Sequence, residues 1–296
     1  YTTRGPQMKT QELTIDRHMG YAFDFKVREL KNEPTLQYIR DSWLMAMAEM
    51  DSKQRATWEA IYDKKNEEFL KNPPVGKDLL RWKYQRYVKE YCRTIRSVDE
   101  QVGRLLDYLE EKGVLDNTVI VYTSDQGFLL GEHGLYDKRF MYEESFRTPL
   151  IISCPSLVKK HSVCKELVQN IDLAPTFLSL AGVEVPKEMS GRSLLPLFKN
   201  GKAENWRNEL YYHFYDYPAV GSVRKHDGIR TKRYKLIHWY GEGSGNDEAI
   251  DFWELYDLKK DVMEVNNVYD NPKYVKVREA LTVQLEKLRK DVGVTE

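Results

Sequence analysis

Between residues 84 and 109 the side chains Tyr84, Tyr87, Tyr91, Ile95, Val98, Val102, Leu105 and Leu109 advance three or four positions at a time. That spacing is one face of an α-helix, so residues 78–112 are expected to form a single long amphipathic rod that needs an apolar surface to lie against. Gly113 is the expected stop, because helices commonly end where one residue turns left-handed. Asp116 and Asn117 read as a turn, and the following VIVYT as a strand. Its residues are apolar or β-branched at nearly every position, the texture of a strand covered on both faces of a parallel sheet. Helix, turn and buried strand make half of a doubly wound unit, so the expected class is α/β.

The strand ends in Ser124-Asp125-Gln126-Gly127. Ligands of open α/β sheets bind beyond the carboxyl ends of the strands, which puts Asp125 and Gln126 where a site is expected. Both offer oxygen, and oxygen-only donation favours a hard cation such as Ca²⁺ or Mg²⁺ over Zn²⁺. An Asp close to a Gly also makes ordinary turns, and a calcium shell needs carboxylates that this segment does not obviously supply. Glu132, His133, Asp137, Lys138 and Arg139 follow at once. Oxygen donors, an imidazole and an ammonium so close together suit a metal-assisted reaction on an anion.

Composition narrows the partners. The 296 residues carry 46 Lys plus Arg against 46 Asp plus Glu, so there is no whole-chain charge that would draw nucleic acid or an anionic membrane. No apolar run approaches the length of a membrane-spanning helix. Cys92, Cys154 and Cys164 have no CxxC spacing and an odd count, so neither a zinc site nor a disulfide framework is suggested. The first residue is Tyr1, with no methionine and no signal peptide, which raises the expectation of a piece of a longer protein.

Elsewhere the chain reads as follows. Helical spacings over residues 35–69 predict irregular surface helices, with Met45, Met47 and Met50 as packing residues, ending at Asn72-Pro73-Pro74. Asp99 reads as a solvated or paired carboxylate beside Arg93 and Arg96. Residues 149–153 predict a short apolar strand, and Asp172 and Pro175 suit a helix start. From Glu209 the runs ELYYHFY, GIRTKRYKLIHWY and DFWELYDL predict an antiparallel sheet, and Val277, Leu281, Leu285 and Leu288 a closing helix. A boundary is placed near residue 204, giving residues 1–204 as one domain and 205–296 as a smaller one.

The succession NTVIVYTSDQGFLLGEHGLYDKRFMYEESFRTPLII, NIDLAPTFLSLAGVEVPKEMSGRSLLPLF, GIRTKRYKLIHWY and WELYDLKKDVMEVNN resembles the C-terminal half of a type I sulfatase of the alkaline phosphatase superfamily. The nearest style is that of bacterial glycan sulfatases, with a likeness to the N-acetylglucosamine-6-sulfatase group. The resemblance implies part of an alkaline-phosphatase-like α/β/α sandwich, followed by a smaller subdomain with an antiparallel sheet and a terminal helix. It implies that Asp125 and Gln126 are late ligands of one Ca²⁺, that Lys138 contacts the sulfate, and that His133 lies beside the sulfate pocket as a substrate contact or proton donor. Arg139 is expected at the surface, and Glu143 and Arg147 as a buried pair fixing the loop. His226 and Arg224 fall where relatives place substrate recognition, against the alternative of a hairpin with a basic exposed face. His213 and His238 read as structural. The implied partner is a sulfated oligosaccharide, and the implied location periplasmic or secreted.

The family nucleophile, a Cys or Ser in a CxPSR or SxPxR motif converted to formylglycine, is matched by none of Cys92, Cys154 and Cys164. Cys154-Pro155-Ser156 has Val158 where the motif needs arginine. The early Asp-Asp ligand pair is absent too. The expectation is therefore a C-terminal portion, inactive alone, completed by an upstream segment. The competing readings are a phosphodiesterase or phosphonate hydrolase, which would normally carry His where Gln126 stands, and a noncatalytic glycan-binding module.

Overall fold

The computed structural model describes residues 13–15, 18–27, 37–218, 220–244 and 248–294. The chain divides into two compact units, one from Gln11–Leu105 and Leu129–Asp137, the other from Leu106–Phe128 and Lys138–Glu296. The boundary expected at residue 204 falls inside the second.

In the first unit, helices α1 (Gln37–Glu49) and α2 (Ser52–Lys71) precede the first turns of α3 (Gly76–Glu111). Asp51 starts α2 with a capping box, accepting Gln54 N at 2.7 Å while its own N–H reaches Gln54 Oε1 at 2.9 Å. The helix ends at Lys71, before the proline pair. Met19, Phe25, Val27, Phe69 and Tyr136 form a buried cluster, joined by Leu79, Trp82 and Tyr87 of α3. Met47 is buried, whereas Met45 is 63% exposed, so only the former packs as expected. Beyond Tyr91 the apolar stripe of α3 lies open among the described residues, with Ile95 51% and Leu105 55% exposed.

The stop of α3 is as expected. Gly113 has φ 66°, its N–H meets Glu110 O at 2.8 Å, and Val114 N–H reaches back to Leu109 O at 3.1 Å, the paired bonds of a Schellman ending.

The second unit holds two sheets. Strand β1 (Ile120–Thr123) pairs with β4 (Leu150–Ser153), from Ile120 opposite Ser153 to Thr123 opposite Leu150. The pairing is antiparallel, where the apolar texture of VIVYT predicts a parallel neighbour. An apolar run encodes coverage, not direction. Direction follows from the connection, and here residues 124–149 return the chain alongside instead of crossing over through a helix. Leu150 and Ile152 pack on a cluster around Leu194, Leu197 and Phe198, together with Leu173 and Leu180 of the helix Leu173–Leu180 and the short helix Leu195–Phe198. The other face, with Tyr122 41% and Ile151 63% exposed, is uncovered by described residues.

The larger sheet is the antiparallel meander β5 (Glu209–Phe214), β6 (His226–Thr231), β7 (Tyr234–Gly241) and β8 (Ile250–Asp257), in that order. One face carries Ile229, Leu236 and Leu255 against Leu281 and Leu285 of the closing helix Val275–Asp291, as the sequence predicts. Arg289 on that helix grips Asp227 with two bonds of 2.6 Å. The opposite face, with Lys235, Ile237 and Trp239 each at most 1% exposed, receives the segment that follows Lys138.

Candidate active site

The turn after β1 is built by its own polar atoms. Ser124 Oγ donates to Gln126 O at 2.8 Å, and Asp125 Oδ1 accepts Gln126 N–H at 3.0 Å. Asn170 adds a clamp, its amide reaching the carbonyls of Ser124 at 3.2 Å and Asp125 at 2.7 Å. Asp125 is exposed and Gln126 half-buried. Gly127 then passes so close to the next segment that a Cβ would stand 2.1 Å from Glu144 O. Only glycine fits there, and its N–H donates to Ser145 O at 2.8 Å.

Lys138 opens a segment that is fixed residue by residue. Its side chain is exposed, while its carbonyl accepts a hydrogen bond from Ser145 Oγ. Tyr212 donates to Arg139 O at 3.3 Å, and Phe140, Met141 and Tyr142 are fully buried. Lys235 Nζ donates to Met141 O at 2.6 Å, Tyr142 Oη to Glu254 at 3.0 Å, and Glu143 N–H to Glu264 at 2.7 Å. Ser145, 3% exposed, therefore joins the Asp125 turn and the Lys138 backbone: its carbonyl receives Gly127 and its hydroxyl holds Lys138. The two parts that the sequence singles out are thus brought together on one buried residue.

The buried Glu143–Arg147 pair that the sequence predicts does not form. The Glu143 carboxylate takes Lys235 at 2.8 Å and Arg230 at 3.1 Å, while Arg147 is exposed and only its backbone N–H meets Glu143 O. The helix Glu143–Phe146 is a single turn, and its glutamate points into the sheet, where a buried lysine needs a counter-charge. Burial works against ionisation of Glu143, but Lys235 and Arg230 outweigh it and hold the carboxyl down at about 2. Glu264, bound to the same Lys235 at 2.7 Å, is pushed up by its own deep burial.

His133 belongs to the first unit. It sits in the tight turn of the hairpin Leu129–Leu130 and Tyr136–Asp137, with φ 60° and 7% exposure. The turn is closed by Gly134 N–H on Gly131 O at 3.0 Å and braced by Glu132, which accepts Leu130 N–H at 2.6 Å.

Arg224 and His226 lie at the start of β6, and neither is at an exposed basic face. Arg224 is 5% exposed, with Nη2 donating to Glu248 O at 2.7 Å, Gly241 O at 3.2 Å and Glu242 O at 3.3 Å, so it ties these three carbonyls together. His226 is wholly buried, stacked on Trp239 at 4.1 Å, and Nδ1 lies 2.9 Å from Arg224 O. Burial pushes it down to about 4, against the pull of that carbonyl and of Asp227, so the ring is neutral at pH 7. The sequence supplies the basic residues but not their burial, which here covers consecutive positions 226–229 on both faces of the sheet. His213 meets Tyr240 Oη at 2.6 Å and His238 meets Asp251 at 2.8 Å, both structural as expected. The three cysteines are unbonded to one another, Cys154 buried and Cys92 and Cys164 exposed.

As a cation site, Asp125 and Gln126 provide two adjacent oxygen-bearing side chains on a braced turn, chemically suited to a hard ion. A Ca²⁺ shell takes six to eight oxygens. Among the described residues no three His, Cys, Asp or Glu side chains converge. Two residues of consequence escape a reading of the sequence. Ser145 carries no signature, since its role is a bond to a distant carbonyl. Lys235 does: in YKLIHWY it alternates in phase with Ile237 and Trp239, and a lysine in an apolar phase must be paired.

Known proteins resemble this chain along nearly its whole length. A family described as N-sulphoglucosamine sulphohydrolase, C-terminal, matches residues 131–291, and the sulfatase family matches residues 40–183. An N-acetylglucosamine-6-O-sulfatase of Bacteroides thetaiotaomicron is 44% identical over 98% of this chain and 51% of its own length. A solved structure, described as a complex with its substrate D-glucosamine-2-N,6-O-disulfate, superposes with a TM-score of 0.88 and 42% identity, covering 99% of this chain and 58% of that one. A phosphonate monoester hydrolase of Agrobacterium radiobacter superposes with a TM-score of 0.59 and 27% identity over 71% of this chain and 42% of its own. The chain spans about half the length of the curated relatives it matches. With the alkaline-phosphatase-like α/β fold common to these neighbours and a family match over residues 131–291, the chain belongs to the type I sulfatases.

Proposed function

We propose that this chain is the later part of a sulfatase that hydrolyses a sulfate ester on a glucosamine-type sugar of a sulfated glycan. The observation that carries the reading is the joint anchoring of the Asp125–Gln126 turn and Lys138 on Ser145. In this reading Asp125 and Gln126 donate oxygens to one Ca²⁺, which when bound would neutralise charge on the sulfate. Lys138 places an ammonium against the sulfuryl oxygens and the departing sugar oxygen, a preorganised charge of the kind that lowers transition-state energy. For His133 the proposed role is that of a hydrogen-bonding contact to the anion or its proton donor. Arg224 serves recognition of the sugar indirectly, by fixing the carbonyls of Gly241, Glu242 and Glu248, and His226, wholly buried, supports that region by stacking on Trp239 without touching the sugar. The nucleophile and the remaining carboxylates come from a segment preceding these residues. This is supported by the shares of the relatives covered, 51% and 58%, and by the poor fit of Cys92, Cys154 and Cys164 to the modified-cysteine motif. On this reading, residues 1–204 complete the catalytic domain and 205–296 form its C-terminal subdomain. Glycan sulfatases of this kind act on material outside the cytoplasm, so the proposed location is periplasmic or secreted. No helix among the described residues is long and apolar enough to cross a membrane.

The test is turnover by the full-length protein on 6-O-sulfated N-acetylglucosamine and 2-N,6-O-disulfated glucosamine against phosphate and phosphonate esters. Sulfate esters are expected to be preferred, and Lys138→Ala to lower their turnover by about two orders of magnitude, roughly 3 kcal/mol. Preference for phosphonates would favour the hydrolase whose fold is shared. Glycan binding without turnover would favour a binding module, and undiminished turnover by Lys138→Ala would overturn the assignment.

A further inference from the structure

We infer that Ser145 is a positioning residue: its hydroxyl sets the backbone of Lys138, and its carbonyl independently sets the turn that carries Asp125 and Gln126. The inference rests on the reading that Lys138 meets the sulfate, and it adds the device that holds lysine and cation donors in register. Three observations carry it. Ser145 is 3% exposed, so its hydroxyl is available to protein partners and not to bulk water. Its Oγ donates to Lys138 O across seven positions of chain, which closes residues 138–145 into a ring whose first member is the exposed lysine. Its carbonyl accepts Gly127 N–H at 2.8 Å, two residues beyond Asp125, at a position where any side chain would strike Glu144 O.

The ring is seated from outside as well. Glu143, two residues before Ser145, is held by Lys235 and Arg230 of the larger sheet, and its N–H by Glu264. Between the seated turn and Lys138 the serine hydroxyl is a direct link. An ammonium displaced by an ångström from developing charge loses much of its effect, so a hydroxyl that never touches substrate can govern turnover.

The two halves of the tie use different atoms, and that makes the inference separable. Ser145→Ala removes the hydroxyl bond to Lys138 and leaves the carbonyl bond to Gly127. In the full-length enzyme we expect kcat for a sulfate ester to fall about tenfold or more, since the loss lies in placement of a transition-state contact. The calcium concentration for half-maximal binding should stay within about twofold, because the donor turn keeps its anchor. Ser145→Thr, which keeps a hydroxyl, should restore most of the turnover. In a Lys138→Ala background, Ser145→Ala should add under about twofold, because it acts through that lysine. Multiplicative losses in the double variant, or parallel loss of calcium affinity and turnover in Ser145→Ala, or unchanged kcat, would overturn the inference while leaving a damaging Lys138→Ala to support the function. An undamaged Lys138→Ala would instead remove the reading on which it rests.

Discussion

The meander β5–β8 and the pair β1–β4 are both antiparallel, yet they are finished differently. The meander is closed on both faces, by the C-terminal helix on one and by residues 140–146 on the other, and its buried charges are matched: Asp227 by Arg289, Asp257 by Arg233 at 2.8 Å, Lys235 by Glu143 and Glu264. The pair β1–β4 packs one face and leaves Tyr122 and Ile151 open on the other. One region is held by internal charge pairing that fixes geometry, the other still presents apolar surface of the sort that a further layer covers. The Asp125 turn springs from the open region and Lys138 from the segment seated on the closed one.

Breaking the charge matching should give the largest effect. Lys235→Met removes a wholly buried ammonium, strands Glu264 and leaves Glu143 with Arg230 alone, so a loss of about 3–5 kcal/mol in denaturant unfolding is expected. A loss below about 1 kcal/mol would mean that the pairing does not hold the meander. The variant should also loosen the seating of Met141 and hence of the whole ring behind Lys138.

Acid should act on the same region in two steps. His226 is pushed down to about 4 in the folded state from an ordinary value of 6.5. The unfolded chain therefore takes up its proton first, and stability falls as pH drops from 6.5 and levels off below about 4, by about 3 kcal/mol in all. Glu143 is also held down, from an ordinary 4.5 to about 2, so the stability it contributes is complete above 4.5 and is lost as pH falls through 2. Between pH 7 and 4 the unfolding free energy of wild type should fall by about 3 kcal/mol relative to that of His226→Phe. Parallel curves would show that the imidazole is not buried neutral.

Much of this was legible from periodicity. The long helix, its Gly113 stop, the closing helix and the meander follow from spacings of three to four or two, because burial of one face writes itself into the sequence. The direction of β1 was not legible, since a strand's apolar texture reports coverage without saying which neighbour provides it. The candidate site divides similarly. Asp125, Gln126 and Lys138 stand out by chemistry, whereas Ser145 and the Glu143 partners are tertiary contacts across 7 and 87 positions that no local pattern records. Arg224 and His226 were conspicuous as a basic cluster, but β6 is covered on both faces and Arg224 just before it is buried by its own carbonyl partners.

The open region offers a sharper test of the contrast. Ile151→Asn in this chain alone should change unfolding by less than about 0.5 kcal/mol, because 63% of the side chain is already exposed. In the full-length protein, if a preceding layer covers β4, the same change should cost about 1.5–3 kcal/mol, the value of a buried aliphatic side chain. Equal small effects in both would mean that this face is a finished surface.

The smallest effect is expected at the junction leading into β1. Gly113 has φ 66° and nothing within 4 Å of where a Cβ would stand, so a substitution there meets no neighbour and pays only for the left-handed backbone. Gly113→Ala should cost about 1 kcal/mol, and Gly113→Asn less, because asparagine tolerates that conformation. Gly127 provides the internal contrast: its φ is unremarkable but a Cβ would collide with Glu144 O at 2.1 Å, so Gly127→Ala must displace the turn bearing Asp125. If the strain lies where the geometry puts it, Gly113→Ala lowers the melting temperature slightly and leaves calcium binding alone, while Gly127→Ala weakens calcium binding out of proportion to its effect on melting. Similar profiles for the two glycines would show that the Asp125 turn is not anchored through its contact with Ser145.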